Sequence, residues 1–330
     1  MSRTVTYSPA YTLVPTYECF NRCEYCNFRV NPGQDQWLSL TQAQSILESL
    51  KNQGITEILI LSGEIEPRSP RRSAWLEHIY QLGKLALAMG FYPHTNAGPL
   101  SYEEMAYLKT VNVSMGLMVE QITPKLLSTV HRHAPSKLPH KRLEQLIWAG
   151  QLQIPFTTGI LLGIGETEPD WWDSLTAIAD IHRQYQHIQE VIIQPYRPGE
   201  KQTWSGNTFN LDQLPQIITQ ARAILPPEIV LQIPPNLIPN SDLLLACLAA
   251  GARDLGGISP LDEVNPSYPH LTHQQLTEVL QQAGWELVPR LPVYPHHYPW
   301  VAQNLTEHPP LSLKNPNLNY EYSPGHRLPK

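Results

Sequence analysis

The chain has 330 residues, 42% of them hydrophobic, with 23 basic against 29 acidic side chains, a net charge of −6 and no block of like charge. That balance offers no electrostatic case for nucleic acid or an anionic membrane, and no apolar run approaches the ~20 residues that span a bilayer. The length fits one large barrel or two ordinary domains. Nothing near the first residue reads as a secretory signal, so a reducing cytoplasm is the expected location.

The elements alternate regularly along the chain. An apolar run at residues 11–15 leads into Cys19-Phe-Asn-Arg-Cys23-Glu-Tyr-Cys26, and Thr41-x-x-Gln44 then reads as a capping box whose helix, with a stripe of Ala43, Ile46, Leu47 and Leu50, stops at Gly54. A short apolar run at 57–61 has the pattern of a strand covered on both faces, the stretches 91–95, 113–119, 156–163, 190–194 and 229–233 read as further strands, and 253–255 as a weaker one. Between them lie helical patterns: from Ser69-Pro70 to Gly90, from a capping box at Ser101-x-x-Glu104, over 141–149, from Thr167-x-x-Asp170 to about 185, and over 211–225 and 241–250. A last box, Thr272-x-x-Gln275, opens a helix that ends at Gly284. Pro-rich breaks after residue 301 predict an extended or disordered tail over 301–330, leaving 1–300 as one domain.

Eight strand-then-helix units is the count of a closed, TIM-like (β/α)8 barrel; a partial (β/α)6 barrel with added elements is the alternative. Right-handed crossovers place every strand C-terminus on one face. The cysteine loop, Ser62-Gly63-Glu64, Glu120 and the Gly165-Glu166 turn are expected to meet there.

Three of the four cysteines, Cys19, Cys23 and Cys26, fall within eight residues, a spacing that lets thiolates converge on a soft metal centre. Three ligands leave one position of a cubane iron-sulfur cluster open for chemistry. A zinc knuckle completed by a distant histidine, or a disulfide with a spare thiol, would use the same residues. The C-x3-C-x2-C spacing, with Tyr25 before its last cysteine, resembles the motif of radical S-adenosylmethionine (SAM) enzymes. That resemblance implies a 4Fe-4S cluster on Cys19, Cys23 and Cys26, with SAM bound at the open iron and cleaved to methionine and a 5'-deoxyadenosyl radical. Ser62-Gly63-Glu64 resembles the superfamily's Gly-Gly-Glu element, with Ser62 in place of its first glycine, and implies a contact to the methionyl amino group. Gly159-Ile-Leu-Leu-Gly163-Ile-Gly165-Glu166 is similar to its G-x-I-x-G-x-x-E strand, which implies that Gly163 and Glu166 lie along the adenine. Glu120 and Arg142 are candidates for the ribose or amino group and for the carboxylate. Each of these also reads as an ordinary turn or a solvated charge. Cys247, in an apolar helix, reads as a small buried hydrophobe.

More specific blocks, Pro93-His-Thr-Asn96, Ser114-Met-Gly-Leu-Met118, Pro155-Phe-Thr-Thr-Gly159, Gly163-Ile-Gly-Glu-Thr167, His187-Ile-Gln-Glu-Val191 and Gly256-Gly-Ile-Ser-Pro260, resemble the CofG family of deazaflavin (FO) synthases from about Tyr7 to Trp300. The resemblance implies hydrogen abstraction from 5-amino-5-(4-hydroxybenzyl)-6-(D-ribitylimino)-5,6-dihydrouracil, then ring closure with loss of ammonia, a lyase reaction. It implies a CofH-type radical SAM enzyme as the partner that makes this substrate, and a low-potential electron donor such as ferredoxin or flavodoxin. His94, Asn96, Gln194, Arg197, Asn236 and Asn265, at or near strand ends, are candidates to bind the polar substrate. A radical SAM enzyme with another substrate, or a non-enzymatic metal-binding protein, would keep the cysteine motif alone.

Overall fold

The computed structural model describes residues 3–305. Nine strands and nine α-helices are found among them. The first half holds β1 (Arg3–Leu13), α1 (Leu40–Leu50), β2 (Glu57–Leu61), α2 (Arg72–Ala88), β3 (Tyr92–Asn96), α3 (Tyr102–Leu108), β4 (Ser114–Gly116), α4 (Pro139–Gln151) and β5 (Phe156–Leu162). The second holds α5 (Glu168–Tyr185), β6 (Ile188–Pro195), α6 (Leu214–Ile224), β7 (Val230–Gln232), α7 (Ser241–Ala250), β8 (Asp254–Ile258), α8 (His273–Gln282), β9 (Trp285–Pro289) and α9 (Tyr298–Asn304).

Strands β1 to β8 run parallel in sequence order, and β1 pairs with both β2 and β8, so the sheet closes into the eight-stranded barrel and the six-unit alternative is set aside. Thr6 is paired with Asp254 of β8 and with Val288 of β9, so β9 lies on the edge of β1 opposite β8. That is the edge β2 occupies further along, at Ala10 to Leu13. The ninth strand therefore covers the first half of β1, which would otherwise present open hydrogen-bonding groups. Between sheet and helices lies the main core, where Leu47, Ile58, Trp75, Ile79, Leu82, Phe156 and Ile178 are fully buried.

Local differences from the sequence reading have plain causes. The first helix is capped by Ser39 with Gln42, not by Thr41 with Gln44, because the chain enters the helix two residues earlier. Strand four ends at Gly116: beyond it the backbone turns through Glu120, which has a left-handed φ of 63°. The expected tail begins as helix α9, held by Val301 and Leu305 in a small cluster with Leu87, Val111 and Val293. The rest of the tail reading lies outside the described residues. No helix among them is long and apolar enough to cross a membrane.

Candidate active site

Ten backbone-connected residues, 17–26, leave the top of β1 and double back over the barrel mouth. Tyr17 N–H and Thr16 Oγ1 both donate to Asp35, Cys19 N–H donates to the Val30 carbonyl (3.1 Å), and Glu18 accepts from Gly33 N–H and pairs with Arg71. The turn after β2 is stitched to this loop by Gly63 N–H to the Thr16 carbonyl (2.8 Å) and Phe20 N–H to the Glu64 carbonyl (3.0 Å). Gly63 is needed for that approach, since a Cβ there would lie 2.2 Å from the Glu18 carbonyl oxygen.

A cavity of about 280 Å³ opens beside the loop. Cys23, Tyr25 and Cys26 line one side; Ser62 and Glu64, Asn96, Met118 and Glu120, Leu161, Gln194 and Arg197, and Asn265 come to it from the C-terminal ends of six strands or the loops beyond them. All three thiols of the motif are free and partly buried. Burial pushes Cys23 up to about 12 against the lowering effect of Lys137, and pushes Cys19 up to about 11 with help from the Glu64 charge. A thiolate at either position therefore calls for a bound cation to compensate it. Among the described residues no three His, Cys, Asp or Glu side chains converge as ligands of a single ion. A cubane makes a different demand, with each thiolate on its own iron.

Charges of both signs face this cavity. Glu64 accepts from Asn21 Nδ2 (2.9 Å) and lies 3.8 Å from Arg142, and Gly98 leaves it room, because a Cβ there would fall 2.2 Å from Glu64 Cγ. Arg142 is buried on α4; one terminal nitrogen donates to the Met118 carbonyl and its Nε has no partner. Glu120 pairs with Lys137 at 2.5 Å. Its left-handed backbone still continues the ladder, Glu120 N–H to Gly159 O and Leu161 N–H to Glu120 O, so a strained residue is held in place by both neighbours. Two acids and two bases around one cavity suit a zwitterion, whose amino and carboxylate groups each find an opposite charge while the site stays neutral. Glu64 and the unpartnered Arg142 Nε are the groups of this chain that fit the methionyl end of SAM, and the thiol triplet fits the cluster.

Three residues in this arrangement escape the sequence reading. Lys137 belongs to a turn before α4 and gains meaning only from its distant partners Glu120 and Tyr25. Asn21 sits inside the cysteine motif, where its amide bridges Cys19 Sγ, Glu64 and Ser136 N–H. His131 meets the Tyr25 hydroxyl at 3.0 Å, and burial lowers its pKa to about 2, so it is neutral.

Glu166 takes a different place from the expected one. Its carboxylate accepts from Gly163 N–H, from Ile164 N–H (2.8 Å) and from Trp171 Nε1 (2.8 Å), so it is spent on its own turn, and neither it nor Gly163 lines the cavity. The Gly165-Glu166 turn thus shapes the end of β5 instead of meeting the other three segments.

A second cavity, of about 210 Å³, runs down the barrel lumen and shares Asn96, Met118, Ile192, Gln194, Val264 and Asn265 with the first. His94 and Asn236 line it. All six residues expected to meet substrate therefore face one cavity or the other. Asn236 is held by Asp262 (2.8 Å) with its Oδ1 unpartnered, and Arg197 stacks 5.0 Å over the Tyr268 ring. Tyr17 OH to Glu263 (2.7 Å) and Tyr268 OH to the Pro198 carbonyl (2.7 Å) lace the loops of β1, β6 and β8 together as a roof.

The radical SAM superfamily model matches residues 13–178. The chain is 64% identical over 300 residues to the 7,8-didemethyl-8-hydroxy-5-deazariboflavin synthase of Trichormus variabilis, covering 91% of this chain and 88% of that one. It is 62% identical over 303 residues to the synthase of the same name from Synechocystis, covering 92% and 97%. Among solved structures it is similar to the FeFe-hydrogenase maturase HydG from Carboxydothermus hydrogenoformans (TM-score 0.72, 18% identity, 96% of this chain and 76% of that one). Methylornithine synthase PylB is also similar (TM-score 0.65, 16% identity, 87% and 84%). At these identities the two structures bear on the fold alone.

Proposed function

The chain belongs to the radical SAM superfamily and, within it, to the deazariboflavin (FO) synthases, and on that premise we propose that it makes the deazaflavin ring from a hydroxybenzyl-ribitylaminouracil adduct. Its cofactors are a 4Fe-4S cluster and SAM, which together supply a 5'-deoxyadenosyl radical able to remove an unactivated hydrogen atom. The proposed overall reaction closes the ring and releases ammonia, which makes it a lyase. The adduct would come from a CofH-type radical SAM enzyme and the electron from a ferredoxin or flavodoxin, in the reducing cytoplasm. Residues 1–300 would act as one catalytic unit.

The observation that carries this reading is the seam between the two cavities. The space lined by Cys23, Cys26, Glu64 and Arg142 shares Asn96, Met118 and Gln194 with the lumen, so the two cavities adjoin. A radical supplied at the mouth would therefore have a lumen-bound substrate as its neighbour, with Asn96, Met118 and Gln194 between them and bulk water. In this reading Cys19, Cys23 and Cys26 hold the cluster, while Glu64, Arg142, Glu120 and Ser62 orient SAM. Gly163 and Glu166 set the backbone that borders it. Asn96, Gln194, Arg197, Asn236, Asn265 and His94 bind the polar parts of the substrate.

The test is anaerobic incubation with SAM, a low-potential reductant and the adduct, following the fluorescent deazaflavin. Cys19→Ala, Cys23→Ala and Cys26→Ala should each abolish deoxyadenosine formation with the far-ultraviolet circular dichroism unchanged. Glu64→Gln should weaken SAM binding more than iron loading. Deoxyadenosine without deazaflavin would mean a sister reaction, and stoichiometric zinc in place of about four irons would defeat the reading.

A further inference from the structure

A TIM-type lumen is ordinarily packed with branched apolar side chains. Here its floor is polar. Glu57 opens β2, Glu190 and Thr157 lie low on β6 and β5, and Arg290 reaches in from the segment after β9. Most of these groups are committed to one another: Arg290 pairs with Asp254 and Glu190, and Glu190 also accepts from Thr157 (3.0 Å) and from Tyr294 OH (3.1 Å). Two are not. His94 and Glu57 are both more than nine-tenths buried and both line the lumen.

The state of His94 follows from its neighbours. Ser114 has one hydroxyl hydrogen and donates it to the Pro292 carbonyl (2.6 Å), so at 2.7 Å it accepts from His94 Nδ1–H. The other ring nitrogen, Nε2, is then a bare acceptor towards the lumen. Burial, reinforced by Arg290, lowers the imidazole pKa to about 3, which keeps it neutral. The carboxyl of Glu57 lies beside Ser8, with the charges of Arg290 and Asp254 further off, and burial raises its pKa. Higher in the lumen Leu59 and Leu61 follow Glu57 and Ile192 follows Glu190, with the amides of Asn96 and Gln194 above them at the seam. A ligand suited to this order has hydroxyls at one end and, behind them, flat rings with polar edges.

We infer that Glu57 and His94 Nε2 form a subsite for a polyhydroxylated chain, which seats the substrate chain-first in the lumen and leaves its rings at the seam facing the thiol-lined cavity. Hydroxyls are the fitting partners because each can donate to His94 Nε2 and to a carboxyl oxygen of Glu57. The inference rests on the proposed function, whose product carries a ribityl chain, and adds to it the direction in which the substrate lies.

The experiment is equilibrium binding, by fluorescence quenching, of the ribityl deazaflavin and of the same ring bearing a methyl group in place of the ribityl chain. The reconstituted wild-type enzyme should prefer the ribityl ligand by about tenfold or more, the worth of one or two hydrogen bonds to buried polar groups. Glu57→Leu and His94→Phe, made separately so that a folding failure in one leaves the other, should shrink that preference to less than about threefold while affinity for the methyl ligand stays unchanged. Variants that weaken both ligands equally, or neither, overturn the inference. Wild-type enzyme that forms deazaflavin from the adduct yet binds both ligands alike overturns it too, with the functional reading intact. Enzyme that keeps the ribityl preference but forms no deazaflavin overturns the functional reading instead.

Discussion

Gly63→Ala tests whether the cysteine loop depends on backbone contact with the turn after β2. The added Cβ would lie 2.2 Å from the carbonyl oxygen of Glu18 and 2.7 Å from its carbon, where ordinary contact begins at 3.4 Å, so the two chains must part by about 1.2 Å (3.4 − 2.2). Neither side yields cheaply, because Gly63 N–H is bonded to Thr16 and Cys19, the next residue after Glu18, is bonded to Val30. Overpacking of this kind costs about 1–3 kcal/mol. The larger effect is on the thiols, since a displacement of that size at the residue before Cys19 spoils their spacing around a cluster. Gly54→Ala is the control: its φ of 76° makes alanine strained, but nothing lies within 4 Å of the new Cβ. It should lose about 1 kcal/mol through backbone strain alone. The assay is urea unfolding beside iron content after anaerobic reconstitution. Both variants should be destabilised, and only Gly63→Ala should lose most of its iron. Full iron loading and unchanged SAM affinity in Gly63→Ala would refute the reasoning.

Two further expectations concern stability. His187 and His297 are buried, and burial lowers both to about 3, with His182 beside each and His296 beside His297. Their folded pKa lies below the unfolded value, so their neutral burial costs nothing above about pH 7, and stability falls as pH drops through about 6.5. From pH 7.5 to 5.5 the loss is about 1.4 kcal/mol per histidine. His187→Phe should remove its share, and urea midpoints that move as far in the variant as in the wild type would contradict this. Arg290→Met strands Asp254 and Glu190 in the barrel floor and should cost about 3–5 kcal/mol. Adding Asp254→Asn and Glu190→Gln should restore part of that, and a triple variant no more stable than the single one would rule out the charge explanation.

Strands β2, β5, β6 and β7 were legible because barrel strands are covered on both faces and read as largely apolar runs, while β3 and β4 showed through their alternation with helices; Glu57 stands at the head of such a run. The first half of β1 was not legible, since Arg3 to Ser8 mixes polar and apolar residues, and β9 is a five-residue stretch ending in proline. Ser39 and Thr41 both stand three residues before a glutamine, and only the backbone path chooses between them. The cysteines, Glu64 and Glu120 announced themselves by motif or by position at a strand end. Lys137 and Arg290 could not, because an ion pair made across the fold leaves no local spacing to detect. Glu166 matched a pattern yet turned inward on its own loop, because the N–H groups of Gly163 and Ile164 lie nearer to it than the cavity does.

The strand that bears the thiol loop is also the one that shuts the barrel, with β2 and β9 along one edge and β8 along the other. Its partners near residues 254–289 leave the ribosome about 250 residues after it. Until they arrive, β1 is held only by β2 along Ala10–Leu13, and metal offered early would meet thiols on a sheet that has not closed. Biogenesis is accordingly a sequence with a set order, chain closure before iron delivery, and slow long-range pairing of this strand governs how soon the apoprotein can be charged.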